Sequence, residues 1–312
     1  MRVQIPPAAH PKTKWSLTTK EGQKIKKLPS FEIGSWINVI NPTKKEINFL
    51  SKKFNLEKRN LTSGLDQNEI PRLDFLKKDI YLLTKDLISS REKQTLLIVI
   101  SQKFILTLSK KEPSFLKKVL NNKIKFYTTQ KLKSLIKILF LINESLERTT
   151  GKIIRNVKTT KLKDKELSEK DLKELLEEEN FLNKLIASYQ YVLLTYKRAA
   201  KKIDFLEADK DLLEDLIEDT TQVFNLCKSA LKNISNIRKY YHILLSNRLN
   251  KTINTLTIFT VLISLPNLIA GLYGMNVRLP FEDNFFAFWY IISSTFILVA
   301  FFIIYLKKEK II

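Results

Sequence analysis

The sequence predicts an α+β cytoplasmic domain, a long helical stalk and a C-terminal hairpin of two transmembrane helices. Three observations support this fold class. Short apolar segments rich in β-branched residues occur in the first third of the 312 residues. Between Pro113 and Pro266 the chain contains a single helix breaker, Gly151. Two long runs without charge follow near the C-terminus. The domains are therefore expected at 1–125, 126–251 and 252–312.

The α+β domain is predicted from apolar segments bounded by turn residues. The segment SWINVINP (35–42) alternates apolar and polar residues, as a strand does, and stops at Pro42. Thr43 is well placed to cap the helix KKEINFLSKKF that follows. Further on, IYLLTKDLI, TLLIVIS and KFILTLS have the composition of strands. Few residues separate the last two segments, so we expect them to form a hairpin.

The middle of the chain is predicted to be helical, with an interruption at VKTTKLKDK (157–165). The last helix should run from about Asp209 to about Tyr273, a rod about 100 Å long. A lone rod with one apolar stripe is not stable in water, so it must pack against the preceding helices, copies of itself, or both. The stripe recurs at steps of three or four residues and comprises Leu213, Leu216, Thr220, Phe224, Cys227, Leu231, Ile234, Ile237, Tyr241, Leu245 and Leu249.

Two membrane spans are predicted at about 253–273 and 285–306, because neither run contains a charged side chain and each can cross about 30 Å of hydrocarbon. The outer loop is then 274–284, followed after the second span by a basic tail. The first fifteen residues contain no continuous apolar stretch. We therefore expect no cleavable signal peptide and a cytoplasmic location for the first 250 residues.

The orientation of the spans follows from their basic flanks, since Lys and Arg are enriched on the cytoplasmic side. The connector between the spans holds one Arg against Glu282 and Asp283. We therefore expect a multi-pass protein of the cell membrane with both termini in the cytoplasm. The basic flanking residues are Arg248, Lys251, Lys307, Lys308 and Lys310.

Composition argues against nucleic-acid binding and against catalysis. The chain carries 54 Lys and Arg against 32 Asp and Glu, a formal charge of +22, but the Lys residues are spread along its whole length. No aromatic-plus-basic recognition motif accompanies them, and such a surface suits anionic lipid headgroups. Cys227 is the only cysteine, and His10 and His242 are far apart without a nucleophile motif. No disulfide framework, cysteine metal cluster or enzyme activity is expected.

The polar residues of the first span lie on one face of the predicted helix. Polar groups are costly in hydrocarbon, so this face must meet other polar helices or water. It can form hydrogen bonds between helices, or it can line a water-filled path formed by several copies. Either interpretation requires an oligomer, whereas the second span is apolar nearly all round and fits lipid contact. The polar face comprises Asn250, Asn254, Thr257, Thr260, Ser264, Asn267 and Gly271.

The segment LPNLIAGLYGMN (265–276), followed by a short connector, a second span and a Lys-rich tail, resembles the pore signature of the CorA family of magnesium transporters. Four upstream segments also resemble that family: SWINVINPTKKEI, LDQNEIPRLD with Glu69, Pro71 and Arg72, KFILTLSKKEP, and SNRLNKTINTLTIFT. The tripeptide GMN alone is a weak signal for a family. Here it lies at the outer end of the first of two C-terminal spans, and the four upstream segments precede it in the order that the family has.

The resemblance implies a homopentameric, funnel-shaped channel for influx of Mg²⁺, with Co²⁺ or Ni²⁺ as further substrates. The hydrated ion would be selected at Gly274, Met275 and Asn276, and intracellular Mg²⁺ would close the channel; no organic cofactor is implied. Gly274 should also give the backbone freedom at the end of the helix. Asn250 would form a polar ring and Ile253 and Leu256 a hydrophobic constriction. The pore-lining set is then Asn250, Ile253, Leu256, Thr257, Thr260, Ser264, Asn267 and Gly271.

The acidic residues differ in part from the family pattern. Pro280 and Glu282 match it only approximately. Glu282 and Asp283 would concentrate cations outside the mouth, or they belong to a solvated loop. Asp215 falls where the family has its regulatory stalk carboxylate, and Asp86 is the predicted partner for a bound Mg²⁺. Lys239 replaces an acidic residue of some members, so closure by Mg²⁺ is expected to be weaker or to use other residues. Two alternatives remain: a zinc transporter of the same family, and a non-conducting membrane scaffold.

Overall fold

A seven-stranded sheet organises the first of the two compact units, Met1–Ile237 and Arg238–Ile312, into which the chain divides. The structure, a computed structural model, describes residues 14–21, 24–27, 31–89, 91–121, 126–161, 168–277, 280 and 284–308. The strand order is β2-β1-β3-β7-β6-β5-β4. β3 and β7 run parallel and the other pairs are antiparallel. The strands are β1 (Lys14–Glu21), β2 (Lys24–Lys27), β3 (Ser35–Ile40), β4 (Arg72–Leu76), β5 (Asp79–Ser89), β6 (Glu92–Ile100) and β7 (Phe104–Ser109).

Helices cover both faces of this sheet. Alternate side chains of a strand point to opposite faces, and along β6 Leu96 and Ile98 belong to one apolar cluster while Leu97 and Val99 belong to another. The first cluster includes side chains of the longer helices, and the second those of α1 and α2. The helices of this unit are α1 (Lys44–Phe54), α2 (Lys58–Ser63), α3 (Leu116–Leu120), α4 (Lys131–Lys161), α5 (Glu169–Lys202) and the first part of α6 (Glu207–Tyr273).

The predicted strand and cap before α1 are confirmed. Thr43 is the N-cap, with its side chain accepting from the backbone N–H of Glu46 at 3.3 Å, and Glu46 Oε2 accepting in return from Thr43 N at 2.6 Å. Such a reciprocal cap contributes about 1 kcal/mol to the stability of the helix. The predicted hairpin is also present, as the antiparallel pair β6 and β7.

The long helix α6 has 67 residues, so the predicted unbroken helix to Tyr273 is confirmed. The first half of its apolar stripe is buried in the core of the first unit, for example Leu216 and Ile234. The stripe becomes exposed further along, since Leu245 is 40% and Leu249 63% accessible. The division into three domains stays a prediction.

The second unit consists of the end of α6 and the helix α7 (Ala287–Lys308). Both helices are long and apolar enough to cross a membrane, which agrees with the two predicted spans. Each carries a stripe of half-buried residues at steps of one, three or four, as in two helices paired along one face. These are Ile258, Val261, Leu262, Leu265, Pro266 and Ile269 on α6, and Ile291, Ile292, Thr295, Val299 and Phe302 on α7.

Candidate ion pathway and metal sites

The predicted pore-lining face of α6 is not covered by its own chain. All eight of its residues are exposed, whereas the half-buried stripe of α6 lies on another face of the same helix. Polar groups on an uncovered face are costly in hydrocarbon. This face therefore needs water or a second copy against it.

The hydroxyl groups on this face donate their protons within the helix. Thr257 Oγ1 donates to the carbonyl of Ile253 at 2.8 Å, and Thr260 Oγ1 to that of Leu256 at 2.9 Å. Ser264 Oγ likewise donates to a carbonyl one turn back, at 2.9 Å. Because each hydroxyl proton is donated to a backbone carbonyl, each hydroxyl oxygen can only accept hydrogen bonds from groups outside the helix. A face of acceptor oxygens suits the water hydrogens of a hydrated cation.

The predicted filter begins where α6 ends. The backbone N–H of Gly274 donates to Ala270 O at 2.9 Å, and that of Met275 to Leu272 O at 3.4 Å, so the helix closes in a tight last turn. Met275 and Asn276 are exposed after it. The turn thus leaves both side chains uncovered at the end of the polar face.

The expected backbone freedom of Gly274 is not used, and this prediction is wrong. Its φ lies outside the left-handed region, where among the described glycines only Gly34 is found. A Cβ on Gly274 would instead lie 3.3 Å from Ala270 O and 3.6 Å from Gly271 O. Glycine therefore allows a close approach to carbonyl oxygens at this turn.

Aromatic side chains mark both ends of α7. Trp289 and Tyr290 are exposed in its first turn, and Tyr305 is exposed next to Lys307 in its last. Trp and Tyr concentrate at membrane interfaces, and Lys lies in the headgroup region. Glu282 and Asp283, the predicted acidic residues of the outer loop, lie outside the described residues.

The two predicted regulatory carboxylates lie in different environments. Asp86 is fully buried on β5, and its Oδ2 accepts from Ser114 N at 2.9 Å and from Gln94 Nε2 at 3.2 Å. Its Oδ1 accepts a hydrogen bond from the Ser114 hydroxyl. Burial raises the pKa of this carboxyl. Both oxygens of Asp86 are thus engaged by the protein.

Asp215 is exposed on α6, as are its neighbours Glu214, Glu218 and Asp219. Among the residues that the structure describes, no group of three or more His, Cys, Asp or Glu side chains is arranged to hold a metal ion. The pairing of Asp215 with Asp86 stays a prediction.

Arg72, in the segment that resembles the family, fixes the loop before β4. Its guanidinium forms an ion pair with Glu69 and bonds Asp74 Oδ2 at 2.9 Å. It also donates to Asn60 Oδ1 at 3.1 Å and Ser63 Oγ at 3.2 Å. One planar group with several donors thus joins α2, the loop and β4. This segment has a structural role within the chain.

An α+β domain, a long helix and two candidate membrane spans, the first with an uncovered polar face, are the features of a membrane protein with a large domain outside the bilayer. The family model described as CorA-like Mg²⁺ transporter protein matches residues 32–308. The chain belongs to this family, whose members transport Mg²⁺ and other divalent cations.

Relatives agree with this assignment. The chain is 26% identical over 292 residues to the cobalt/magnesium transport protein CorA of Methanocaldococcus jannaschii, which covers 88% of this chain and 90% of that protein. The complete structure of the CorA magnesium transporter from the same organism matches with a TM-score of 0.82 and 21% identity, covering 94% of this chain and 97% of that one. The full-length CmaX protein matches with a TM-score of 0.75 and 14% identity, covering 95% and 98%. At these identities the two structures support the fold alone.

Proposed function

We propose that the protein is a homopentameric channel through which Mg²⁺ enters the cell down its electrochemical gradient. The observation that carries this proposal is the uncovered polar face of α6, from Asn250 to Gly271. Two helices of one chain cannot enclose a path for an ion. Several copies with these faces turned to a common axis enclose a water-filled one, and the cytoplasmic domains then form a funnel around it.

The filter consists of Gly274, Met275 and Asn276 at the outer mouth. Mg²⁺ loses its water reluctantly and requires octahedral coordination by oxygen. A ring of Asn276 amides and Gly274 carbonyls offers neutral acceptors to the hydrated ion and does not need to strip it. Co²⁺ and Ni²⁺ carry the same charge and also bind water octahedrally, and they pass by the same route. Glu282 and Asp283 raise the concentration of cations outside the mouth.

The gate consists of Ile253 and Leu256, which lie about one and about two helical turns beyond the polar ring of Asn250. Both apolar side chains are exposed on the pore-lining face, with Ile253 57% and Leu256 66% accessible. A ring of such side chains closes a narrow pore by excluding water. Small rotations of α6 are sufficient to change the width of this ring.

Intracellular Mg²⁺ holds the channel closed through carboxylates of the stalk. Asp215 is exposed and free to coordinate an ion between copies. Asp86 acts as its partner only if it gives up the hydrogen bonds from Ser114. The exposed acids beside Asp215 are therefore the more accessible additional ligands.

Both termini lie in the cytoplasm and the spans lie in the cell membrane. The basic residues that flank the spans then face anionic lipid headgroups. The division at residues 125 and 251 separates the α+β domain, the stalk and the pore hairpin. The described residues contain no feature that favours zinc transport or a non-conducting scaffold over this function.

Thiol labelling tests the proposal that α6 lines a water-filled path. Cysteines are introduced on the polar face at Thr257, Ser264 and Gly271, and as matched controls on the half-buried stripe at Ile258, Leu262 and Ile269. The protein in lipid is treated with a cationic, water-soluble thiol reagent. Native Cys227 is 2% exposed and burial raises its pKa, so it reacts slowly. Fast labelling of the polar face alone is expected, and equal labelling of both sets would contradict the proposal.

A further inference from the structure

A cavity of about 230 Å³ in the first unit is surrounded by lysines. Its lining includes the loop 67–71, Lys85 of β5, Lys93 of β6, and Lys184 and Ser188 of α5. None of these lysines takes part in the predicted pore, filter or regulatory site. The cavity therefore requires its own explanation.

The ammonium of Lys85 is buried, and among the described residues its hydrogen-bond acceptors are uncharged. The residue is 2% exposed, and Nζ donates to Gln67 O at 2.8 Å and to Thr95 Oγ1 at 2.9 Å. The hydroxyl of Thr95 in turn donates a hydrogen bond to Asp66 O at 2.5 Å. Two of the three ammonium protons are thus bound by neutral oxygens. The third has no acceptor in the part of the chain that the structure describes.

Lys93 and Lys184 add to the positive charge of the cavity. Lys93 Nζ donates to Lys184 O at 2.8 Å and to Ser188 Oγ, again neutral acceptors. The side chain of Lys184 is exposed. Glu69 is the carboxylate in the lining, and it already forms an ion pair with Arg72. The lining therefore holds three lysines and one carboxylate, which already pairs with Arg72, while Asp66 acts on Lys85 from outside the lining.

We propose that this cavity binds a small, soluble, phosphate-bearing anion. A phosphate group offers three or more strong acceptors and up to two negative charges, which match the unpaired proton of Lys85 and the ammoniums of Lys93 and Lys184. Its charge offsets the cost of burying cations without counter-ions. The cavity also has room for a small organic group beside the phosphate. This site is separate from the proposed channel and does not depend on it.

Bound phosphate should change the protonation of Lys85. In the free protein, burial and the charge of Lys93 lower the pKa of Lys85 to about 8, while Asp66 and Glu69 oppose that shift. Burial and the neighbouring Lys184 also lower the pKa of Lys93. An anion favours the charged form of both. Affinity for the phosphate dianion should therefore fall as the pH rises above about 8, where Lys85 of the free protein loses its proton.

The test is isothermal titration of the full chain with inorganic phosphate and with pyrophosphate. Maltoside micelles contain no phosphate, so they separate binding of the free anion from binding of a lipid headgroup. Lys85→Met keeps the length of the side chain and removes its charge, and Lys184→Gln does the same at an exposed position. The matched control is Lys78→Gln, an exposed lysine outside the cavity.

We expect saturable binding by the wild type and by Lys78→Gln. Lys85→Met should weaken it by about tenfold or more, the effect of losing a hydrogen bond from a charged donor, and should reduce the dependence on pH to the part that Lys93 contributes. Lys184→Gln should weaken phosphate binding less than Lys85→Met does. Because residue 184 is exposed, this variant should fold, and it tests the site even if Lys85→Met does not fold. No binding by the wild type, equal binding by all variants, or binding only after phospholipid is added would overturn the assignment.

Discussion

Ser114 holds the carboxylate of Asp86 from two sides. Its backbone N–H donates to Oδ2 at 2.9 Å, and its hydroxyl donates to Oδ1. Gln94, the cross-strand neighbour of Asp86 in the pairing of β5 with β6, donates to Oδ2 as well. Asp86 thus fixes the segment between β7 and α3 to β5, the strand next to the edge of the sheet.

This arrangement predicts different consequences for Asp86 and Asp215. Asp86→Ala leaves buried donors of Ser114 and Gln94 without an acceptor, which costs about 1–3 kcal/mol. We expect a lower Tm of the purified protein. We also expect Asp86→Ala to retain protection of the stalk from proteolysis by high Mg²⁺. Loss of that protection at an unchanged Tm would show instead that Asp86 is a metal ligand.

Asp215→Asn should have the reverse effects. The exposed side chain contributes little to stability, so the Tm should stay near that of the wild type. Protection of α6 by Mg²⁺ should require a higher ion concentration, because one anionic ligand is lost. Asp204→Asn, also exposed, is the control. Unchanged protection in Asp215→Asn would contradict regulation through this residue.

The exposed part of the stripe on α6 predicts association between copies, and the proposed pentamer would cover it. Leu245 is 40% and Leu249 63% accessible in the single chain, and burial of such groups favours association. Native mass spectrometry should show a species of five times 36.5 kDa. Leu245→Glu should shift it to smaller species, whereas Ser246→Glu at the next position should not. A monomer as the only wild-type species would contradict the pentamer.

Gly271 provides a test of pore width. A Cβ added there would meet no atom within 4 Å, so the single chain tolerates a larger residue. If the face lines the pore, Gly271→Leu adds a ring of bulky groups to it. Mg²⁺ uptake should then fall by about tenfold or more, a rise of at least about 1.4 kcal/mol in the barrier. Ala300→Leu on the exposed surface of α7 should leave uptake unchanged. Equal uptake by both variants would remove Gly271 from the pore.

The long helix and the central strands could be predicted because their signals are local. Between Pro113 and Pro266 only Gly151 breaks helical propensity, and the strands β3, β6 and β7 are short apolar runs. β1 and β2 were not predicted, since the segments KWSLTTKE and KIKK are mostly polar and lack the composition of a buried strand.

The candidate sites could be predicted less completely, for physical reasons. The polar face of α6 has a helical period and was visible in the sequence. The burial of Asp86 was not, because Asp86 follows the polar residues Thr84 and Lys85 in the sequence, and only the fold shows that both faces of β5 are covered there. The lysine cavity joins β5, β6 and α5, which only the tertiary fold brings together. The role of Gly274 depends on how closely its Cα approaches Ala270 O in the last turn of α6, a distance that only the structure gives.

The most direct test of the channel is Mg²⁺ uptake into proteoliposomes under an applied membrane potential. Wild type is compared with Asn276→Ala, which removes the amide acceptor from the filter, and with Asn180→Ala, an exposed asparagine of α5. We expect voltage-driven uptake by the wild type and by Asn180→Ala, and a reduction of about tenfold or more in Asn276→Ala. Uptake by Asn276→Ala equal to that of the wild type, or no uptake by the wild type, would contradict the account.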